Sequence, residues 1–271
     1  MRTKRIAIHS VPRSGSTWLG EIFNSNEHTN FKHQPLFSYA FKGILTDNSP
    51  KEEILDFFYA IANSDDEYIN QYQQRQEGIV PTFVKKKPSE FIVYKEVRYH
   101  NIIENLLKKD NEIKVVGLVR NPMSVISSWI KAPKEFRKGE DWNELEEWRY
   151  AEKKNLNKPE EFFGYEKWKE VTLLFEKLKH EYPDRFYLLK YGELLNKTQE
   201  KVAKLFTFCG MILTKQTIDF INDSSTTDKS NDAYSVYRKK QTDDKWKSEL
   251  NPEIARLILK DLKDNNLEDY I

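Results

Sequence analysis

IAIHSVPRSGSTWLGEIF, residues 6–23, combines a short apolar run, a polar turn containing one glycine and a helical pattern. The run at residues 6–9 predicts a β-strand, and residues 17–23 place apolar side chains on one helical face. The unpaired N–H groups of such a turn and of the helix's first turn point at one spot, where the helix dipole also favours an anion. The stretch therefore predicts an α/β fold with a phosphate-binding loop after its first strand.

The side chains of this turn suit a phosphate or sulfate group. Gly15 lets the backbone come close to a ligand, and Ser14, Ser16 and Thr17 add hydroxyl donors. Arg13 adds positive charge in a planar fork that matches phosphate oxygens. The nucleoside-triphosphatase loop G-x-x-x-x-G-K-[ST] is absent, and no apolar strand ends in an aspartate that could hold Mg²⁺, so we expect no metal. The alternative is that the serines only cap the helix.

Apolar runs and helical patterns alternate along the rest of the chain. Further strands are predicted at residues 30–33, 91–94, 113–119 and 185–189. Helices are predicted at residues 51–76, 101–109, 122–131, 160–181 and 198–208. This alternation predicts βαβ units, and near-continuous apolar strands are typical of a parallel sheet buried on both faces. We expect one P-loop-like, three-layer α/β domain over residues 1–271, with a central parallel sheet flanked by helices.

Two segments do not follow this alternation. Residues 131–158 are dense in charge and contain Trp142 and Trp148, which predicts either a solvated amphipathic helix or a lid that faces an acceptor. Residues 222–248 are polar and irregular, and we expect a long loop there.

Charge and composition narrow the class of ligand. Lys and Arg total 44 and Asp and Glu total 43, which gives a net charge of +1. We therefore expect no nucleic-acid partner, and any anion site must be local. Cys209 is the one cysteine, so an intrachain disulfide is impossible and a reducing, cytoplasmic location is expected. No apolar run approaches the ~18 residues that span a bilayer, and the amino-terminal apolar run is shorter than a signal peptide requires.

A second candidate anion site follows the predicted strand at residues 113–119. Arg120 lies at the carboxyl end of that strand, the edge at which α/β sheets bind ligands. Pro122 suits the first position of the next helix, on which Ser124 and Ser128 are one turn apart. Arg120 and Ser128 could hold one phosphate from two sides; otherwise Arg120 forms a surface salt bridge and Ser128 only packs. Two such turns in one domain suit a ligand with two separated phosphate-like groups.

Several motifs resemble those of the sulfotransferases that use 3′-phosphoadenosine 5′-phosphosulfate (PAPS). PRSGSTWL, residues 12–19, is similar to their 5′-phosphosulfate loop, which implies that Trp18 belongs to the donor site. Arg120 and Ser128 have the Arg-x-Pro-x₅-Ser spacing of their 3′-phosphate site. YGEL, residues 191–194, resembles the family's Tyr-Glu-Asp-Leu, which implies that Tyr191 lies near the adenine.

The resemblance extends over about residues 1–250 and implies a reaction. YRKK, residues 237–240, resembles the late basic loop that closes over the 3′-phosphate, with Arg238 and Lys239 in that role. The implied reaction transfers a sulfuryl group from PAPS to a hydroxyl or amine and releases 3′,5′-adenosine bisphosphate (PAP). The short spacing to Pro35 resembles the carbohydrate and protein-tyrosine branches, which favours a glycan or another polyol as acceptor. A non-catalytic PAPS- or PAP-binding module and a nucleotide kinase of related fold are the alternatives.

Transfer requires stabilisation of the leaving phosphate and a base for the acceptor. Arg13 and Lys95 are the candidates for the first task. The resembling branches have a glutamate where this chain has Gln34, and an amide cannot accept a proton at neutral pH. Three interpretations stay open: His33 is the base, Glu96 supplies the carboxylate, or Gln34 replaces a native glutamate. Position 34 is expected to face the acceptor, and Gln34→Glu is expected to raise turnover.

Overall fold

Five parallel strands form the central sheet of the computed structural model, which describes residues 3–226, 236–237 and 242–271. The strands are β1 (Lys4–His9), β2 (Thr29–His33), β3 (Phe91–Glu96), β4 (Lys114–Val119) and β5 (Phe186–Lys190). Their spatial order is β2-β3-β1-β4-β5. β2 and β3 lie on one side of β1, and β4 and β5 lie on the other side. Because the strand order reverses at β1, the loops that leave β1 and β4 diverge and open a crevice at the carboxyl edge of the sheet.

Helices connect the strands and cover the sheet. They are α1 (Ser16–Ser25), α2 (Lys51–Ala62), α3 (Glu67–Asn70), α4 (Tyr72–Gln76), α5 (Ile103–Lys109), α6 (Pro122–Ile130), α7 (Glu144–Tyr150), α8 (Glu152–Asn155), α9 (Tyr165–Glu181), α10 (Tyr191–Asn196), α11 (Thr198–Cys209), α12 (Lys215–Thr226), α13 (Trp246–Glu249) and α14 (Pro252–Asp264). Within the described ranges, no helix is both long enough and apolar enough to cross a membrane.

The side chains of β1 alternate between two buried hydrophobic clusters, one on each face of the sheet. Ile6 and Ile8 pack with α1, α11 and α12. Ala7 belongs to the cluster that contains α2, α5, α6, α9 and α14. Successive strand residues point to opposite faces, so both faces of β1 must be apolar, which explains its continuous apolar run. The predicted three-layer α/β fold with an all-parallel sheet is confirmed.

The helix predicted over residues 51–76 is wrong, because the chain breaks it twice. α2 ends at Ala62 and is followed by the polar sequence Asn-Ser-Asp-Asp at residues 63–66. Asp66 caps α3, since its side chain accepts from the N–H of Ile69 at 3.0 Å. Gln71 then adopts φ +55°, which separates α3 from α4. Residues that hydrogen-bond the local backbone favour caps over helix interiors, and this preference outweighs the apolar spacing.

The two irregular segments are also more ordered than the sequence suggests. Residues 131–158 contain α7 and α8, and Trp148 is buried against Tyr165 with ring centroids 5.9 Å apart. This region is therefore packed into the core and is not a single solvated helix. Within residues 222–248, α12 continues to Thr226 and α13 begins at Trp246. Residues 227–235 and 238–241 lie outside the described ranges.

Candidate active site

A cavity of about 810 Å³ opens at the carboxyl edge of the sheet, where the loops after β1, β2, β3 and β4 meet. The cavity is lined by most of the residues that the sequence singles out: Arg13, Gly15, Ser16, Thr17, Trp18, His33, Gln34, Lys95, Arg120, Ser128 and Tyr191. Ser14 and Glu96 are buried and do not line it. Arg238 and Lys239 lie outside the described residues. The tertiary structure therefore gathers candidates from five strand ends into one space.

The loop after β1 is a tight cradle at the start of α1. Gly15 is the N-cap residue with φ +88°, in the left-handed region that favours glycine. The ring of Tyr191 lies directly against Gly15, and Trp18 meets that ring edge-on with centroids 6.4 Å apart. Trp18 is itself fixed, because its indole N–H donates to Ser224 Oγ at 3.0 Å. The hydroxyl of Ser14 is buried and has no hydrogen-bond partner within the described ranges.

We expect Gly15→Ala to weaken PAP binding about tenfold and to lower the melting temperature. An added Cβ would lie 2.4 Å from Tyr191 Cε2, so the ring or the loop must move, and alanine also disfavours φ +88°. Gly43→Ala is the matched control, since Gly43 has φ +75° but nothing within 4 Å of the added Cβ. Calorimetry with PAP should show normal binding by the control. An equal loss of PAP affinity in both variants would show that the close contact between Gly15 and Tyr191 is not what PAP binding requires.

The two predicted anion-binding turns are joined to one another. Arg13 Nε donates to Ser128 Oγ at 3.1 Å, and Arg120 Nη1 donates to the carbonyl oxygen of Arg13 at 2.8 Å. α6 begins as the sequence predicts, with Pro122 in its first turn and the side chain of Asn121 accepting from the N–H of Met123. One site thus contains two arginines and two helix N-termini, an arrangement that suits a ligand with more than one anionic group.

Arg120 is also held by a carboxylate that sequence reasoning missed. Its Nη2 and Nε lie 2.5 Å and 2.9 Å from Asp243 Oδ1. The carbonyl oxygen of Asp243 accepts from Ser124 Oγ at 3.0 Å, and the guanidinium lies 4.8 Å from the centroid of the Tyr191 ring. The salt bridge considered for Arg120 is therefore present, but it lies inside the cavity. No sequence signal could have identified Asp243, which is 123 residues away.

Gln34 and His33 lie side by side in the wall of the same cavity. Gln34 has φ +43° and its N–H donates to the carbonyl oxygen of Lys95 at 2.7 Å. Its amide nitrogen lies 2.8 Å from His33 Nε2, so the ring nitrogen accepts this hydrogen bond. Arg98 Nη1 donates to Gln34 Oε1 at 3.4 Å. Burial, followed by the charges of Lys95 and Arg75, lowers the pKa of His33 well below its usual value.

These contacts argue against His33 as the base and against a glutamate at position 34 in that role. Nε2 of His33 already accepts from Gln34, and the lowered pKa disfavours protonation of the ring, so His33 is poorly placed to take a proton. A glutamate at position 34 would form an ion pair with Arg98, which would weaken it as a base. The gain in turnover expected from Gln34→Glu stays a prediction, and we expect this ion pair to reduce it.

Lys95 and Glu96 are consecutive in β3, and they face different surroundings. Lys95 lines the cavity, and burial lowers the pKa of its amine. Glu96 is fully buried beneath the turn at Pro35–Phe37, where its Oε1 accepts from the N–H of Leu36 at 2.7 Å. Burial raises the pKa of Glu96, despite this hydrogen bond. Glu96 therefore holds the chain that follows Gln34, and Lys95 is the member of the pair that can reach a ligand.

The fold and the site together define an α/β protein that binds an anionic nucleotide through a P-loop-like turn at the carboxyl edge of a parallel sheet. The family model of the sulfotransferase domain matches residues 3–269, and the chain belongs to this family. The predicted family, the PAPS-dependent sulfotransferases, is confirmed by this match. A comparison with curated protein sequences finds no match.

Solved structures share the fold at low sequence identity. Mouse sulfotransferase SULT7A1, complexed with PAP, has a TM-score of 0.55 at 15% identity, covering 100% of this chain and 90% of its own. The sulfotransferase domain of the Synechococcus PCC 7002 olefin synthase has a TM-score of 0.54 at 18% identity, covering 97% and 94%. Retinol dehydratase, in a complex with retinol and PAP, has a TM-score of 0.57 at 15% identity, covering 99% and 82%.

Proposed function

We propose that the chain binds PAPS across the two joined anion turns and transfers its sulfuryl group to a hydroxyl or amine of an acceptor. The observation that carries the donor assignment is the link between Arg13, Ser128 and Arg120 in one cavity. The fit of PAPS to this site is supported by the cradle at Gly15 and by the buried hydroxyl of Ser14, which lacks a partner among the described residues. SULT7A1 and retinol dehydratase in their PAP complexes share this fold, which is consistent with the proposal.

In this proposal the chain acts mainly by positioning and by charge. The loop after β1 and Arg13 would bind the 5′-phosphosulfate, and Arg120 with Ser128 would bind the 3′-phosphate. The Lys95 amine would stabilise the negative charge that builds on the leaving phosphate oxygen. Tyr191 would pack near the adenine, since its ring already closes the cradle at Gly15. A cytoplasmic location is part of the proposal and rests on the single, buried Cys209.

A polyol such as a glycan is the acceptor class that we propose. The acceptor end of the cavity is rich in side chains that can hydrogen-bond several hydroxyls: Gln34, Gln71, Gln73, Gln74, Glu77, Lys131, Lys134 and Glu135. A steroid or a retinoid would leave these polar groups without partners, which is costly. Polar side chains in this number therefore favour a sugar over an apolar alcohol.

The donor and the acceptor are tested in separate assays. Purified protein should bind PAP in calorimetry without added metal and should bind ATP more weakly, because ATP has no 3′-phosphate. Equal affinity for the two nucleotides would overturn the two-site donor. With labelled PAPS, transfer to mono- and oligosaccharides should exceed transfer to hydroxysteroids; the reverse order would overturn the acceptor class alone. PAP binding without transfer to any member of the panel would favour the non-catalytic module.

We expect Asp243→Asn to tighten PAP binding about tenfold, which corresponds to about 1.4 kcal/mol. Asp243 occupies the guanidinium that we assign to the 3′-phosphate, so the phosphate must displace a carboxylate and its charge opposes binding. Asparagine keeps the shape and removes the charge. Affinity for 5′-AMP, which has no 3′-phosphate, should be unchanged in the same titration. Weaker PAP binding by the variant would mean that Asp243 holds Arg120 in its binding position.

A further inference from the structure

Among the described residues, one carboxylate that lines the cavity differs from the others because it has no hydrogen-bond or ion-pair partner. The carboxylates that line the cavity, among the described residues, are Glu77, Glu135, Asp243 and Glu249. Glu77 accepts from Gln73 at 2.8 Å, Asp243 pairs with Arg120 at 2.5 Å, and Glu249 pairs with Lys131 at 3.2 Å. The carboxylate of Glu135 forms no hydrogen bond or ion pair within the described part of the chain, and its Oε2 is shielded from solvent.

An unpaired, shielded carboxylate oxygen is unfavourable in the free protein. Removing a carboxylate oxygen from water without a donor is unfavourable, so buried carboxylate oxygens are normally hydrogen-bonded. Because Glu135 lines the cavity, the missing donor can come from a molecule bound there. An acceptor hydroxyl is a donor of the right kind.

Backbone hydrogen bonds hold Glu135 in the turn that follows α6. The N–H groups of Glu135 and Phe136 both donate to the carbonyl oxygen of Ala132, at 2.9 Å and 2.8 Å. Phe136 is buried, with ring centroids 5.2 Å from Trp129 and 5.5 Å from Trp142. A catalytic group must be held to within a fraction of an ångström, and this anchored turn provides such a support.

Glu135 also acts electrostatically on the residue that we assign to the leaving group. Burial lowers the pKa of Lys95, and negative charge opposes that effect, first from Glu96 and more weakly from Glu21 and Glu135. Of these three carboxylates, Glu135 is the one that lines the cavity. The Lys95 amine and the Glu135 carboxylate therefore provide a cation and an anion on the wall of the same cavity.

We propose that Glu135 is the general base of sulfuryl transfer, an inference that rests on the function proposed above. The acceptor oxygen forms a bond to sulfur while its proton passes to the carboxylate of Glu135. The bond from sulfur to the 5′-phosphate oxygen breaks, and its electron pair stays on PAP. Glu135 then releases the proton to solvent, so the products are the sulfate ester, PAP and one proton. Gln34 has no basic group, Nε2 of His33 is occupied by its hydrogen bond with Gln34, and Glu96 is fully buried and does not line the cavity.

Hydrolysis of ³⁵S-labelled PAPS tests this role without knowledge of the acceptor, because water then takes the acceptor's place. We expect Glu135→Gln to slow release of labelled sulfate ~10²–10⁴-fold, the usual effect of losing a general base. PAP affinity in calorimetry should stay within about twofold of the wild type, since the residue does not bind the donor. Glu249→Gln is the matched control, since Glu249 lines the same cavity with a carboxylate that is paired with Lys131, and it should hydrolyse PAPS normally.

Chemical rescue separates a base from a structural carboxylate. Added formate should restore much of the hydrolysis by Glu135→Ala and none by Lys95→Met, because formate replaces a carboxylate but not an amine. Normal hydrolysis by Glu135→Gln would overturn the inference. It is also overturned if the wild type binds PAP but hydrolyses PAPS no faster than this variant. Failure of the wild type to bind PAP would instead overturn the proposed donor.

Discussion

Lys95→Met is expected to slow sulfuryl transfer about 10²–10³-fold, the usual effect of removing one charge-stabilising donor from a transition state. Lys95 is the penultimate residue of β3, is 2% exposed and lines the cavity beside Gln34. Its amine makes no hydrogen bond or ion pair with residues in the described ranges, so its charge is available to a ligand. Methionine keeps the length and packing of the side chain and removes the charge, so PAP should still bind. Single-turnover transfer from labelled PAPS measures the effect.

The pH dependence of the same reaction provides a second measurement. Burial lowers the pKa of Lys95, so its positive charge is lost at a lower pH than that of an ordinary lysine. Transfer should therefore decline as pH rises through this lowered pKa. Lys95→Arg should retain part of the rate and lose this alkaline decline, because a guanidinium stays charged. An unchanged alkaline decline in Lys95→Arg, or normal transfer by Lys95→Met, would show that the lysine is not the stabilising group.

Arg120→Ala is expected to weaken PAP binding about 30–150-fold, or roughly 2–3 kcal/mol, the scale of a charge-assisted hydrogen bond. Affinity for 5′-AMP should change little, because the residue is assigned to the 3′-phosphate. Calorimetry with both nucleotides measures the difference. Arg137→Ala removes an exposed arginine paired with Glu140 and should bind both ligands normally. Equal losses of affinity for PAP and 5′-AMP would show that Arg120 supports the loop at Arg13 and does not recognise the 3′-phosphate.

A double variant separates two causes of the loss in Arg120→Ala. The single change removes a contact to the phosphate and also leaves Asp243 unpaired beside it. If repulsion from Asp243 contributes, Arg120→Ala with Asp243→Asn should bind PAP more tightly than Arg120→Ala alone. The difference between the two variants measures that repulsion, because asparagine carries no charge.

The elements that the sequence predicted well are those determined by near neighbours in the chain. β3 and β4 have runs of four and five apolar residues, FIVY and VVGLV, because both faces of the sheet are covered, and this pattern is visible without a structure. The helix over residues 51–76 was wrong because short-range capping at Asp66 overrides an apolar period. The single solvated helix considered for residues 131–158 was wrong, because the burial of Trp148 against α9 depends on tertiary packing.

The sequence alone determined the loop at Arg13–Gly15 and the Arg-Asn-Pro turn at residue 120, because both rely on backbone conformations that a few adjacent residues impose. The tertiary structure alone decided which charges meet. Asp243 reaches Arg120 across 123 residues, and Glu135 faces the same cavity as Lys95 from a different layer of the fold. Electrostatic energy depends on distance in space and on exclusion of water, and neither quantity can be read from spacing along a chain.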